Sequence, residues 1–484
     1  MSHIRPTRRD FVGCTLALAA SSACAPAGFA EQRTILNDAS RLNPTPVAKH
    51  WPARIGEQDE FIARLRSELA QAAAVNRPVA VGVARHSMGG QSLPRDGTAI
   101  TLSGRVLQTD AAAKTYLVNA GARWADVIQT LDPLGFSPAV MQSNNDFGVG
   151  STYCVNSHGW PVPYGPFGST VRSLRMMLAD GSIIECSRTK NSELFSFAMG
   201  GYGLFGVVLD LEVDMVPNML FAPKVEIMKG SEFASRFTGA LTSDPAIRMA
   251  YGRLSVARST FFREAVMVTY RAAPDPQNHL PAATSKSLLT TVSRDIYRAQ
   301  TGNETAKNAR WVAETRLNPA LSSGVATRNT LMNEPASNLA SHDLRRTDIL
   351  HEYFIPPERF PAFIADCTEI IPPARAEFLN VTLRYVGADD TAALAYAPSP
   401  RIAAVMSFSQ EISPEGEVEM IQITERLIDR AVNLGGAFYL PYRLHARRDQ
   451  LHSAYPHAEA FAERKRFYDP KLLFRNAMWD AYFA

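Results

Sequence analysis

Apolar positions recur at helical spacing over Asp59–Asn76, where Phe61, Leu65 and Leu69 share one face, and this predicts a helix. The unbroken apolar run Pro78–Val83 that follows predicts a strand, and it stops abruptly at Arg85-His86-Ser87 and the pair Gly89-Gly90. β-Branched content predicts two more strands, in "TAITLSG" (Thr98–Gly104) and "TYLVNAG" (Thr115–Gly121). "RWADVIQTLDPLG" predicts a helix halted by Pro133 and Gly135. Asp180-Gly181 separates two apolar runs between Val171 and Ser187, a hairpin signal, and a strand closing at Pro217 comes next. Gly148–Gly159 reads as a further extended segment.

These elements make 43–218 a mixed α+β unit. A second unit, 219–438, alternates predicted strands ("HEYFIP", "LNVTLRYV", "RIAAVMSFSQ") with a long helix, "MIQITERLIDRAVNLGG", and its polar stretch Thr284–Ser341 reads as helical with loose linkers. Residues 439–484 form a C-terminal segment. With 484 residues, 46% hydrophobic and 20% charged, the chain is long enough for two substantial cores. A net charge of only +3, without a basic stripe, gives no electrostatic reason to expect nucleic acid as partner.

Residues 1–30 read as an address label. Arg8-Arg9 precede the apolar run Phe11–Ala20, and "GFAE" offers a cut after Ala30, as in twin-arginine leaders. The run is too short to span a bilayer stably, so a periplasmic or secreted protein without stable membrane insertion is expected. That export route carries folded proteins with their cofactors loaded. Outside the leader, Cys154, Cys186 and Cys367 show neither CxxC nor metal-ligand spacing, so buried free thiols are expected and no metal site.

Glycine clusters at Gly82/Gly89/Gly90, Gly148/Gly150, Gly159 and Gly200–Gly206 would let backbone approach a ligand closely. Several in one unit, three beside predicted strands, point to a nucleotide cofactor. The absence of GxGxxG entering a helix argues against a Rossmann site.

Four segments carry a resemblance to a known family: "GVARHSMGGQS", "VGSTYCVNSHGW", "MMLADGSIIECS…NSELFSFAMGGYGLFGVV" and "FYDPKLLFRNAMW". With their spacing they resemble the vanillyl-alcohol-oxidase-type flavoproteins, whose FAD domain is called PCMH-type, nearest the aldonolactone and alditol oxidase branch. The resemblance implies an α+β fold: a two-subdomain FAD-binding domain, a substrate (cap) domain on a large antiparallel sheet, and a C-terminal segment returning to the FAD domain. It also implies FAD bound covalently through His86. The flavin would be cradled by Ala84, Arg85, His86, Ser87, Met88, Gly89, Gly90 and Gln91, then by Ser143, Gly148, Val149, Gly150, Ser151, Asn156 and His158. Gly206, Val207 and Asn476 would complete the cradle. His158 also reads as a structural hydrogen-bonder, and Cys154 as packing.

On the substrate side, Arg384 falls at the family's arginine, and His445 at about the place of its lysine, in "PYRLHA". Where the family shows a carboxylate, a histidine and a threonine, this chain has Thr382, Ser407 and Ser409, which puts an alditol or lactone substrate in doubt. Arg384, His445 and Tyr442 are the catalytic candidates. Arg443 reads equally as a surface salt bridge, and Tyr353 as core. The expected function is an exported FAD-dependent oxidoreductase moving hydride from a small polar CH–OH substrate (sugar, polyol or lactone-like) to flavin N5. The alternatives are a CH–NH or heterocyclic substrate, or a flavoprotein without turnover. The electron acceptor, oxygen or another, is left open.

Overall fold

The computed structural model describes residues 34–273, 280–284, 294–317, 324–336 and 343–484; the expected leader and parts of Thr284–Ser341 lie outside them. The first predicted helix runs Gln58–Ala74 and buries Phe61, Leu65, Leu69 and Ala72 along one stripe. It precedes Val79–Gly82, a strand of a small parallel sheet in which Thr98–Ser103 lies between Lys49–Arg54 and Val79–Gly82.

A second, antiparallel sheet takes the hairpin Val171–Met177/Ile183–Ser187, then Val207–Pro217, Thr115–Asn119 and Val106–Asp110, with Phe136–Pro138 pairing the far end of Val207–Pro217. The helix Trp124–Leu131 stops where the sequence places Pro133 and Gly135, the glycine at φ +76°. Gly148–Gly159 departs from expectation: Val149–Cys154 is a short helix, followed by a turn with Asn156 at φ +47°. A Cβ at Gly148 would lie 2.5 Å from Val83 Cβ, and one at Gly150 2.6 Å from Ala120 Cβ, so both glycines let this helix sit close against Val83 and Ala120.

The remaining sheet, eight-stranded among the described residues, is antiparallel, with Glu377–Val386, Arg401–Glu411 and Arg346–Ile355 adjacent. Strand alternation sorts its side chains onto two faces. Ile349, Tyr353, Val381, Leu383, Met406 and Phe408 are buried on one face, toward the helices Phe360–Ile370 and Pro414–Asn433; Tyr353 and Phe363 rings lie 5.5 Å apart there. The other face carries Glu352, Asn380, Thr382, Arg384 and Ser407. Part of it is covered by the stretch around Tyr297 and Arg310, through Tyr297–Ser407 and Arg310–Asn380 hydrogen bonds. The rest faces the glycine-rich half.

The C-terminal segment closes the unit Thr34–Ala484. Val79 donates to Leu473 O (2.7 Å) and accepts from Arg475 N (3.1 Å). Asn476 donates to the carbonyls of Gln91 (2.9 Å) and Tyr202 (3.1 Å), and its Oδ1 caps the last helix by accepting from Trp479 N. Asn476→Ala removes the cap and strips two buried carbonyls of a donor, and should lower the unfolding free energy by about 2 kcal/mol or more. Chemical denaturation of the purified protein measures this, with an unchanged midpoint as the contrary result.

Candidate functional site

The strand Val79–Gly82 delivers the turn Arg85–Gln91 to the mouth of a cleft between the glycine-rich half and the polar sheet face. Ala84, Arg85, His86, Ser87 and Gln91 line it. Arg85 takes φ +52°, a left-handed conformation that costs a non-glycine residue energy and swings the chain so that His86 turns inward. The His86 ring stacks on Phe147 with centroids 4.1 Å apart, and Nε2 lies 3.6 Å from Asp146 Oδ2. Burial pushes the imidazole below its usual pKa despite that carboxylate, so it is neutral at neutral pH.

Met88, Gly89 and Gly90, expected in the cofactor cradle, do not line the cleft. Their amide groups are already engaged: Met88 N donates to Pro441 O, Gly89 N to Gln91 Oε1 and Gly90 N to Asp38 Oδ2. Gln91 in turn donates to the carbonyls of Leu440 and Tyr442. Of the second group, Ser143, Gly148, Gly150, Ser151 and His158 line the cleft, as do Gly203 and Gly206. Val149 and Val207 point into the core instead. Asn156 braces the architecture, donating to Asp389 Oδ2 (2.7 Å) and accepting from Gly168 N. Asn476 does the same through the C-terminal clasp. Cys154 lines the cleft, with its thiol pushed by burial up to about 12 and therefore neutral.

At the inner end of the cleft, Arg384 donates to Ser143 Oγ (2.8 Å) and to the His158 carbonyl (3.3 Å). Burial lowers its pKa, opposed by the Glu352 carboxylate and the surrounding phenols. Glu352 Oε1 is bonded to His158 Nε2, and Oε2 accepts from the Tyr442 hydroxyl at 3.2 Å. The Tyr442 phenol is held well above its usual pKa by burial and by that carboxylate, so it stays a donor. Glu352 is the charged cleft residue that sequence reasoning missed. It lies in the quoted strand "HEYFIP", but attention fell on Tyr353, which alternation sends to the core. Its signal is parity: Leu350 and Glu352 face the cleft together.

His445 is not brought to the cleft. It lies behind the C-terminal segment, with Nε2 2.9 Å from Glu417 Oε1 and Nδ1 3.1 Å from Thr424 Oγ1. Arg443 joins the same cluster as an inner ion pair, not a surface bridge, and it also donates to Asn43 Oδ1 and the Met88 carbonyl. Burial opposes ionisation of Glu417, but bonds from His445, Arg443 and Gln410 outweigh it and pull the carboxyl down to about 2. The apparent match of "PYRLHA" to the family's lysine fails because Tyr442 takes the cleft-facing place. Ser407 and Ser409 are likewise engaged elsewhere, with Tyr297 and Arg346.

Whether the cleft suits FAD can be judged on its own atoms. Gln142 Nε2, His158 Nδ1 and Arg384 Nε are buried around it without a hydrogen-bond partner, which asks for a polar ligand. Gly148, Gly150, Gly203 and Gly206 line it without side chains of their own, so a flat ring system can lie close to backbone there. The residues present fit the cofactor.

Comparison with known proteins agrees. Residues 61–187 match the FAD binding domain family. L-gulonolactone oxidase of Mus musculus is 29% identical over 184 residues, 38% of this chain and 40% of the relative. Cytokinin dehydrogenase 8 of Oryza sativa subsp. japonica is 29% identical over 228 residues, 42% of each chain. The mitochondrial L-galactono-1,4-lactone dehydrogenase 2 of the same plant is 33% identical over 141 residues, 29% of this chain and 24% of the relative. The chain thus spans at most about two fifths of the length of these curated relatives. A neutral histidine at the lip of a glycine-lined cleft thus stands in a chain whose residues 61–187 match the FAD binding domain family and which is similar, over part of its length, to a lactone oxidase, a lactone dehydrogenase and a cytokinin dehydrogenase.

Proposed function

We propose that the protein is an exported FAD-dependent oxidoreductase that oxidises a small polar CH–OH substrate, sugar-, polyol- or lactone-like. The observation that carries this reading is the continuity of one cleft, from the His86 turn and its glycine floor to a buried arginine, carboxylate, histidine and phenol at the inner end. When bound, FAD supplies the two-electron acceptor that takes hydride from a substrate carbon. His86, neutral and turned inward, is the attachment point, because an uncharged ring nitrogen keeps the lone pair that a covalent bond to the flavin requires. Arg384 holds a fixed positive charge at the inner end, where the charge arriving with the hydride needs compensation. Ser143 and the His158 carbonyl keep that guanidinium aimed. The substrate hydroxyl needs a proton acceptor, and Leu350 and Val405 give it a dry wall.

An anaerobic panel of aldoses, alditols, aldonolactones and amines tests the reading by bleaching of the flavin absorbance. Bleaching by hydroxyl compounds supports it, bleaching by amines alone moves the substrate to the CH–NH class, and no bleaching removes the enzyme reading.

Colour should stay with the polypeptide after acid precipitation, and His86→Ala should release its FAD into the supernatant while still folding. Free FAD from the parent protein would remove the covalent link. Arg384→Ala should slow flavin reduction about a hundredfold, the usual loss on removing one contact to developing charge; stopped-flow bleaching with the fastest panel compound measures it. Export is motivated by Arg8-Arg9 before Phe11. Replacing both with lysine should strand flavin-loaded precursor in the cytoplasm, seen by fractionation; undiminished export would overturn that assignment.

A further inference from the structure

We propose that Glu352 is the group that takes the substrate's hydroxyl proton, with His158 and Tyr442 as its positioning residues. The inference rests on the CH–OH reading above.

Among the described residues, Glu352 is the only carboxylate lining the cleft. The other cleft groups with acid–base chemistry are poor proton acceptors. Burial holds the phenols of Tyr202, Tyr439 and Tyr442 well above the usual tyrosine range, and raises Cys154 to about 12, so all four keep their protons. His86 stacks on Phe147 beside Asp146 and is the flavin attachment point of the reading above. His158 remains. Its Nε2 is committed to Glu352, and its ring is walled by Phe354, Tyr396 and Tyr439 at centroid distances of 5.4, 6.1 and 6.3 Å. A proton placed on its Nδ1 would create a buried donor where the protein offers no acceptor.

Glu352 is built differently. Oε1 is fixed by His158, whereas Oε2 receives only the Tyr442 hydroxyl at 3.2 Å, and a carboxylate oxygen can accept two bonds. Before the reaction, the negative charge of Glu352 is balanced by Arg384, whose own charge it helps preserve. In the step, the substrate O–H bond breaks and its proton bonds to Glu352 Oε2. The electron pair left on oxygen becomes the second bond of the product carbonyl as the C–H hydride leaves for the oxidised flavin. The carboxyl is then neutral, which suits a dry site. Tyr442, donating to the same oxygen, keeps it pointed into the cleft, and His158 stops the carboxyl group from rotating away.

The test uses the flavin-loaded protein and the same anaerobic panel. Glu352→Gln should keep its flavin content and visible spectrum, yet bleach about a hundredfold or more slowly at saturating substrate, as losing a general base does. The half-saturating concentration should move far less than the rate. Added formate should restore part of the rate in Glu352→Ala, because it returns a carboxylate to the vacated place. A Glu352→Gln rate within twofold of the parent overturns the proposal. So does failure of formate together with an equal loss in His158→Gln, which would make His158 the base. Tyr442→Phe strands no buried charge and keeps the test decisive should Glu352→Gln misfold: bleaching should slow several-fold, and an unchanged rate counts against the arrangement. A parent protein bleached by no hydroxyl compound sinks the CH–OH reading first, and Glu352 with it; a bleached parent with an indifferent Glu352→Gln sinks Glu352 alone.

Discussion

The structure turns on a polar sheet face that has to be buried. In the strands Arg346–Ile355, Glu377–Val386 and Arg401–Glu411, one set of alternating residues is apolar and covered by helices. The opposite set carries Glu352, Asn380, Thr382, Arg384 and Ser407 and is largely enclosed. A buried polar face is tolerable only when each group finds a partner, so the rest of the fold supplies partners. Tyr297, Arg310 and Arg253 satisfy Ser407 and Asn380 on one side. On the other, the loop after the short helix Val149–Cys154 brings His158 to Glu352 and its own carbonyl to Arg384. The atoms left unpaired where these two regions meet belong to the cleft.

Much of this was legible in the sequence, because the early elements obey local rules. Gln58–Ala74, the strand into the His86 turn, the Asp180-Gly181 hairpin and the Pro133/Gly135 stop all follow from spacing and turn residues within a few positions. The segment Gly148–Gly159 misled because glycines with β-branched neighbours look extended, whereas here they allow a helix to press on Val83 and Ala120. Asn156 and Asn476 were expected in the cradle from the family resemblance, which does not distinguish a ligand contact from a bracket. Only their long-range partners, Asp389, Gln91 and Tyr202, show the bracket.

Glu352 and His445 are the instructive pair. One is a buried acid in an unremarkable strand, and the other a histidine in a suggestive motif. Alternation in the strand puts Glu352 opposite Tyr353, but which face meets the cleft, like the path of residues 440–445 that takes His445 away from it, is set by long-range packing. Arg384 could be placed because it shares its strand's polar face with Thr382 and Asn380, so motif and alternation agree there.

The clasp on the His86 turn has a consequence for how the protein is made. Gln91 is held by carbonyls 349 and 351 residues further along the chain, and Asn476 reaches back 385 residues to it. The strand that delivers the turn is flanked by Leu473 and Arg475. During synthesis, the amino-terminal half therefore emerges with this turn unsupported, and it stays so until residues 440–476 have followed it. The turn thus takes its final shape only when distant parts of the chain meet, so its geometry is a product of the whole fold and not of the amino-terminal half alone.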